Sequence, residues 1–345
     1  MKAIVKVDKR RGFSYVEVPD PKPGLRDVVI KVKASAICGS DINFYVWNEV
    51  FCEGLVKDFP FIPGHECAGE VVEVGEAVGN FKPGDRVSID THIPCGFCRQ
   101  CQIGRPHTCT NMGLFGHNTN GCFAEYTVVK ETAVRKIPDG LNWEEGAMLE
   151  PLGVVVRPVI DANVAMSTVC VTGCGPIGQF TIALASALGA MRIFAADINI
   201  KRLELAREMG ATDLIDVNST PQFSEYLIKE TGGLDILIDA SGNVKSIMEG
   251  LRSLCHGGKL YMIGNPKEPL VIDNPMKYLT LKEVTIKGTW GRELFKTWEK
   301  AENFILSGKI DLNKVITHRY PMSRYEDAFE TALKGEGCKV VLLPE

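Results

Sequence analysis

Val169-Cys170-Val171-Thr172-Gly173-Cys174-Gly175-Pro176-Ile177-Gly178 is the stretch whose reading decides the fold. β-Branched residues run into a G-x-G-x-x-G spacing, and an apolar segment compatible with a helix (177–188) follows at once. Alone that spacing is weak; between a strand and a helix it reads as a dinucleotide-binding turn. Gly173 permits a tight turn, Gly175 lets backbone approach a pyrophosphate, and Gly178 lets helix and strand pack closely. Pro176 and Ile177 share the turn, where the helix amino end faces phosphate charge. Asp197 stands nineteen residues past Gly178, at the end of the next apolar stretch. A carboxylate there accepts from the adenosine ribose hydroxyls and repels a 2′-phosphate, which favours NAD over NADP. Arg202 reads either as a cover for the adenine or as a solvated charge. Gly264, just past the stretch 259–263, is assigned to the same cofactor site. The alternative is a purely structural turn, with Asp197 capping the next helix.

Outward from this turn the chain alternates. Stretches at 167–171, 192–196, 213–217, 234–240, 259–263 and 284–287 read as strands, and 177–188, 200–209, 222–230 and 244–255 as helices. That rhythm predicts an α/β fold with a Rossmann unit, a doubly wound parallel six-stranded sheet. Before about residue 150, Val-rich runs at 28–32, 68–74 and 123–129 are broken by Pro63-Gly64 and Pro83-Gly84. Such a pattern predicts a compact, barrel-like β-rich domain. The expected divisions are 1–154, 155–291, and a segment 292–345 that returns to the first domain. A length of 345 residues makes two domains the default.

A net charge of −4 offers no basic excess to neutralise phosphates, so nucleic acid is not expected as a partner. The amino terminus lacks the apolar core of a secretion signal, and no run approaches a membrane span. A cytoplasmic protein without membrane contact is expected. In that setting twelve cysteines point to metal ligation and free thiols rather than disulfides. Cys52, Cys67, Cys122, Cys170, Cys174, Cys255 and Cys338 read as small buried apolar residues.

Cys95, Cys98, Cys101 and Cys109 follow a C-x2-C-x2-C-x7-C spacing that lets one loop wrap a tetrahedral zinc ion. A nucleic-acid zinc knuckle would need a basic, aromatic-rich surface, which Arg99, Arg105 and His107 do not supply, so a structural clamp is expected. Four-fold ligation would also remove these thiolates from redox exchange. A second donor set is more scattered: Cys38, the pair His65-Glu66, and Glu150. Thiolate, imidazole and carboxylate are all zinc ligands, and a catalytic site needs three of them plus an open position. Spacing alone does not join them.

The segments CGSD (38–41), GHE (64–66), GDRV (84–87), the cysteine loop, FAEY (123–126), EP (150–151) and VTGCGPIG (171–178) together resemble the zinc-containing medium-chain dehydrogenase/reductase family, end to end. Tyr45-Val46-Trp47-Asn48-Glu49, His92-Ile93, Gly291-Arg292 with Phe295 and Thr297-Trp298, Ser307-Gly308-Lys309 and the tail at 316–320 resemble its threonine dehydrogenase subgroup. The resemblance implies a GroES-like catalytic domain, a Rossmann domain and a homotetramer or homodimer. It implies catalytic zinc on Cys38, His65 and Glu66, with Glu150 as a direct or water-mediated fourth partner, and structural zinc on the four loop cysteines. It further implies oxidation of a secondary alcohol with hydride passing to NAD. L-threonine going to 2-amino-3-oxobutanoate is the first expectation; a polyol, cyclitol or sugar phosphate is the alternative.

Within that chemistry Ser40, two residues past Cys38, is expected to accept the hydroxyl proton. Glu150 is expected to swing on and off the metal. His92 is read as a hydrogen-bond partner of the substrate, or else as a structural histidine beside the zinc loop. Three positions depart from the subgroup: Asn43 where it carries His, Val154 where it carries Asn, and Arg157 where it carries His. A non-catalytic NAD(H)-binding protein would have no use for Cys38, Ser40, His65 and Glu66 together.

Overall fold

Every side chain of the strand Thr168–Thr172 is buried, as a central parallel strand covered on both faces requires. It leads into the helix Pro176–Ala187, buried over most of its length. The computed structural model describes residues 1–56 and 58–345. They form two units: Met1–Pro151 with Glu293–Leu306 and Val315–Glu345, and Leu152–Arg292 with Ser307–Lys314.

In the second unit six strands pair in parallel: Thr168–Thr172, Arg192–Asp197, Asp213–Asp216, Leu234–Asp239, Leu254–Met262 and Thr285–Gly288. Counted along the chain, their order across the sheet is 3-2-1-4-5-6. The order reverses beside Thr168–Thr172, so a crevice opens at the carboxyl ends of that strand and of Leu234–Asp239. Phe194, Phe223, Leu237 and Leu251 are completely buried in a core beneath it. One expectation shifts. The fifth strand starts at Leu254, directly after the helix Val244–Ser253, rather than at residue 259. Leu254 already pairs with Leu234, and the irregular Cys255-His256-Gly257-Gly258 stretch, with Gly257 at φ +76°, hides that pairing from a pattern of alternating apolar residues.

The first unit is built on a seven-stranded sheet, predominantly antiparallel. Its longest strand, Asp27–Ala36, pairs with Glu66–Val74, with Tyr126–Lys130 and with Lys339–Leu343. The chain end thereby joins the early strands. Ile4, Ile30, Phe44, Phe123 and Phe329 form part of its core, each with no exposed surface. Burying a Phe or Ile side chain contributes about 1.5–3 kcal/mol. A lysine lies inside this unit as well. The Lys6 ammonium donates to the carbonyls of Arg10, Gly12 and Tyr45 and lies over the rings of Phe13 and Trp47.

The helix Trp143–Ala162 was not anticipated in the sequence. Pro151 and Pro158 read as breakers there, and Met148, Leu149, Leu152, Val155, Val156 and Val159 are all fully buried, so no polar face marks a helical period.

Candidate active site

Strand register brings the scattered donors together. Ala36 pairs with Glu66 and also with Val341. Cys38 lies just beyond the end of one strand, and His65-Glu66 lie at the start of its antiparallel neighbour, so pairing forces them side by side. One ligand atom from each of Cys38, His65 and Glu66 falls within 4.8 Å of the others. His65 and Glu66 are 3% and 1% exposed. Gly64, at φ +92°, makes the turn before them; a Cβ there would strike the Phe123 ring.

Electrostatics show what the cluster accommodates. Asp41, in the first turn of the helix Gly39–Val46, accepts from the Cys38 amide at 2.8 Å and faces His65 Nδ1 at 3.6 Å. Burial works against a proton on His65, but the Asp41 carboxylate and the Cys38 thiolate outweigh it and push its pKa well above the usual histidine range. The pocket therefore favours positive charge. Asp41 Oδ1, His65 Nδ1 and the Ser40 hydroxyl are buried without a hydrogen-bond partner among the described residues. A divalent cation fits this donor set.

Glu66 has a second partner. The buried Lys339 ammonium donates to its carboxylate and to the Ile37 carbonyl. Burial pushes the Glu66 carboxyl up, Lys339 draws it down, and Glu150 raises it again. Burial likewise opposes the Lys339 charge, yet Glu66 and Cys38 raise its pKa overall. An ammonium lying directly on a carboxylate is an ion pair.

Glu150 is not part of the three-residue donor group. Its carboxylate accepts from the Thr91 hydroxyl. The next residue, His92, is 4% exposed and stays outside the donor group too. Asp90 Oδ1 lies 2.8 Å from the His92 amide and 3.2 Å from its Nδ1, so that nitrogen carries the hydrogen. Asn43 donates its side-chain amide to the Gly39 carbonyl at 3.1 Å. His117 lies closer to the metal cluster than any role foreseen for it. Its ring centroid is 4.5 Å from that of His65, and burial pushes its pKa down to about 4.

The four loop cysteines converge as well, their sulfurs within 4.8 Å of one another. The Cys95 and Asn111 amides point at Cys109 Sγ from 3.3 Å, and the Cys98 amide at Cys95 Sγ from 3.4 Å. Backbone N–H groups of Cys101 and Thr110 draw the Cys98 thiol down to about 5, whereas burial pushes Cys101 up to about 12. Four sulfurs at such separations form a donor set that a tetrahedral zinc ion fits.

In the second unit a cavity of about 690 Å³ is lined by Gly173, Gly175, Asp197, Arg202, Ser241 and Lys245, among others. Gly173 is at φ +84°, and a Cβ on Gly178 would collide with the Gly173 carbonyl. A Cβ on Gly175 would meet nothing within 4 Å, which leaves open backbone for a phosphate to approach. Pro176 is the first residue of the helix after Gly175, and Ile177 the second. Asp197 Oδ2 accepts from the Cys174 amide at 2.6 Å and Oδ1 from the Asn199 amide at 2.8 Å, and each oxygen keeps a second lone pair. Gly264 does not line this cavity; it packs on Gly242 and Asp239. Asp239 went unnoticed in the sequence. It is fully buried and binds Thr172 Oγ1, Ser241 and the Gly242 amide, tying strand ends together around the crevice. Asp41, Lys339, Asp90 and His117 were missed too. Only Asp41, one helical turn past Cys38, left a capping signal in the sequence.

Residues 24–139 match the alcohol dehydrogenase GroES-like domain, and residues 176–307 match the zinc-binding dehydrogenase domain. The chain is 40% identical to the L-threonine 3-dehydrogenase of Bacillus licheniformis and 39% identical to that of Pseudoalteromonas translucida. It covers 99% of each, and 100% and 99% of its own length is aligned. Its fold is similar to galactitol-1-phosphate dehydrogenase from Escherichia coli (TM-score 0.90, 26% identity, all of both chains). It is similar also to 2R,3R-butanediol dehydrogenase from Bacillus subtilis (TM-score 0.90, 28% identity, 100% of this chain and 99% of that one). The chain belongs to the zinc-containing medium-chain dehydrogenase/reductase family, as an alcohol dehydrogenase that works with zinc and a nicotinamide dinucleotide.

Proposed function

We propose that this enzyme oxidises L-threonine at its secondary hydroxyl to 2-amino-3-oxobutanoate, with NAD as hydride acceptor. Full-length identity of 38–40% to several L-threonine 3-dehydrogenases supports the substrate. The convergence of Cys38, His65 and Glu66 within 4.8 Å is the observation that carries the chemistry. These three residues would hold a catalytic zinc, and Cys95, Cys98, Cys101 and Cys109 a structural one. When bound, zinc supplies a Lewis acid for the alcohol hydroxyl, and the dinucleotide supplies the hydride acceptor.

The chain's own residues do the rest. Asp41 accepts from the Cys38 amide and sets a carboxylate facing the His65 ring. Ser40, whose hydroxyl is buried and unpartnered, takes the alcohol proton. Asn43 has no titratable proton, so it does not pass that proton on. His92, its Nδ1 tied to Asp90, presents Nε2 to the substrate. Glu150, held by Thr91, is the carboxylate in reserve beside Glu66. Gly173, Gly175, Pro176, Ile177 and Gly178 cradle the dinucleotide phosphates, Asp197 reads the ribose, and Arg202 covers the adenine.

A homo-oligomer, dimer or tetramer, acting in the cytoplasm belongs to this proposal. The edge strand Thr285–Gly288 has one neighbour only among the described residues, and Met276, Leu281, Ile286 and Trp290 nearby are exposed. No helix of the described residues is long and apolar enough to cross a membrane. A substrate panel with NAD tests the reading: L-threonine, 2,3-butanediol, sorbitol, inositols and galactitol 1-phosphate. Preferred turnover of L-threonine is expected; turnover confined to a polyol would overturn the assignment.

A further inference from the structure

His117 has an open nitrogen beside the metal cluster. Its Nδ1 sits 3.1 Å from the Phe115 carbonyl, which only accepts, so Nδ1 carries the ring hydrogen and Nε2 presents a lone pair. Nε2 has no hydrogen-bond partner among the described residues. Two contacts fix the ring: the His65 ring at 4.5 Å between centroids, and Phe44 edge-on at 5.3 Å and 76°.

The same ring lines a cavity of about 230 Å³ together with Asp58, Phe61, Asn118, Thr119 and Asn120. Most polar groups there are already engaged. Asn118 Oδ1 accepts from the Leu114 amide, Asn120 Oδ1 from the Ile62 amide, and the Thr119 hydroxyl donates to the Leu114 carbonyl. His117 Nε2 and the exposed Asp58 carboxylate remain as acceptors, and the Asn120 side-chain amide remains as a donor. A group that donates hydrogen bonds or carries positive charge suits the two acceptors.

We propose that His117 is a specificity-determining residue: its Nε2 accepts a hydrogen bond from the donor group on the carbon next to the reacting carbinol. Resting on the L-threonine reading, the donor is the substrate ammonium. The reach is short, because His117 packs on a residue of the metal cluster and the amino-bearing carbon adjoins the carbinol. A buried acceptor facing a substrate without that donor loses a hydrogen bond it cannot replace, so the site selects against such substrates.

The test compares L-threonine with 3-hydroxybutanoate, the same skeleton without the amino group, in wild-type enzyme, His117→Phe and His117→Gln. Zinc content and NADH binding are measured for each variant. The ratio of kcat/KM for L-threonine to that for 3-hydroxybutanoate is expected to fall roughly 10- to 100-fold in His117→Phe, chiefly through KM, as loss of a hydrogen bond to a charged group does. His117→Gln, which keeps an acceptor, is expected to hold part of the ratio. An unchanged ratio in a zinc-replete His117→Phe overturns the proposal. If His117→Phe does not retain zinc, loss of the whole ratio in zinc-replete His117→Gln overturns it. Should the wild type ignore L-threonine, the L-threonine reading fails separately. The pair 2,3-butanediol and 2-butanol then poses the same question with a hydroxyl as donor.

Discussion

The Lys339 ammonium lies on the Glu66 carboxylate, 273 residues away in the chain, with both side chains at most 2% exposed. Pairing of Asp27–Ala36 with both Glu66–Val74 and Lys339–Leu343 produces the contact. It places a counter-charge on a residue of the metal cluster, against the burial that pushes the Glu66 carboxyl up. Removing one partner of a buried pair leaves an uncompensated charge, which costs about 3–5 kcal/mol. Lys339→Met is therefore expected to lower unfolding free energy by about that amount in urea titrations, and Lys339→Arg by less. A loss under about 1 kcal/mol would show that the pair is not ionised.

The loop sulfurs are expected to hold one zinc per chain. Cys98→Ser and Cys101→Ser should each reduce zinc, measured by elemental analysis, by one equivalent and lower the thermal midpoint. Full metal content in both variants would contradict the assignment.

Asp197 reads the ribose by charge as well as by hydrogen bonding. In Asp197→Gly the ratio of kcat/KM with NAD to that with NADP should fall at least about tenfold, as removal of a like-charge contact of about 1.4 kcal/mol does. An unchanged ratio would mean that Asp197 serves only the Cys174 and Asn199 amides it already binds.

Lys6 makes stability depend on alkaline pH. Burial lowers its pKa from 10.5 to about 8. A base whose folded pKa is depressed holds fewer protons folded than unfolded between those values. Stability therefore rises with pH across that window; the penalty is complete below the folded pKa and relieved above it. The urea midpoint of wild type relative to Lys6→Met should rise from about pH 7.5 to about pH 10. A flat difference would place the ammonium in a more polar setting than its carbonyl and aromatic neighbours provide.

Much of this was legible in the chain, and unevenly so. Gly173, Gly175 and Gly178 serve a local turn, so their spacing survives in one dimension, and the alternation after it announces six parallel strands, whose order only the folded sheet supplies. The loop cysteines are equally local. Cys38 and His65-Glu66 were legible through family resemblance, since only strand register joins them. Lys339 left no mark because a lysine two strands away looks like any surface lysine. His117 looked like a loop residue, and its place against His65 depends on the turn at Gly116, φ +73°, where a Cβ would collide with Gly64. The helix Trp143–Ala162 was invisible for the opposite reason: its buried residues surround it, and the two prolines it contains read as breakers in the sequence.

Anomalous diffraction at the zinc edge from crystals of the zinc-loaded protein tests the central claim most directly. Two peaks per chain are expected, one among Cys95, Cys98, Cys101 and Cys109 and one about 2.0–2.3 Å from ligand atoms of Cys38, His65 and Glu66. A single peak at the cysteine loop, with zinc in excess and the enzyme active, would contradict the account.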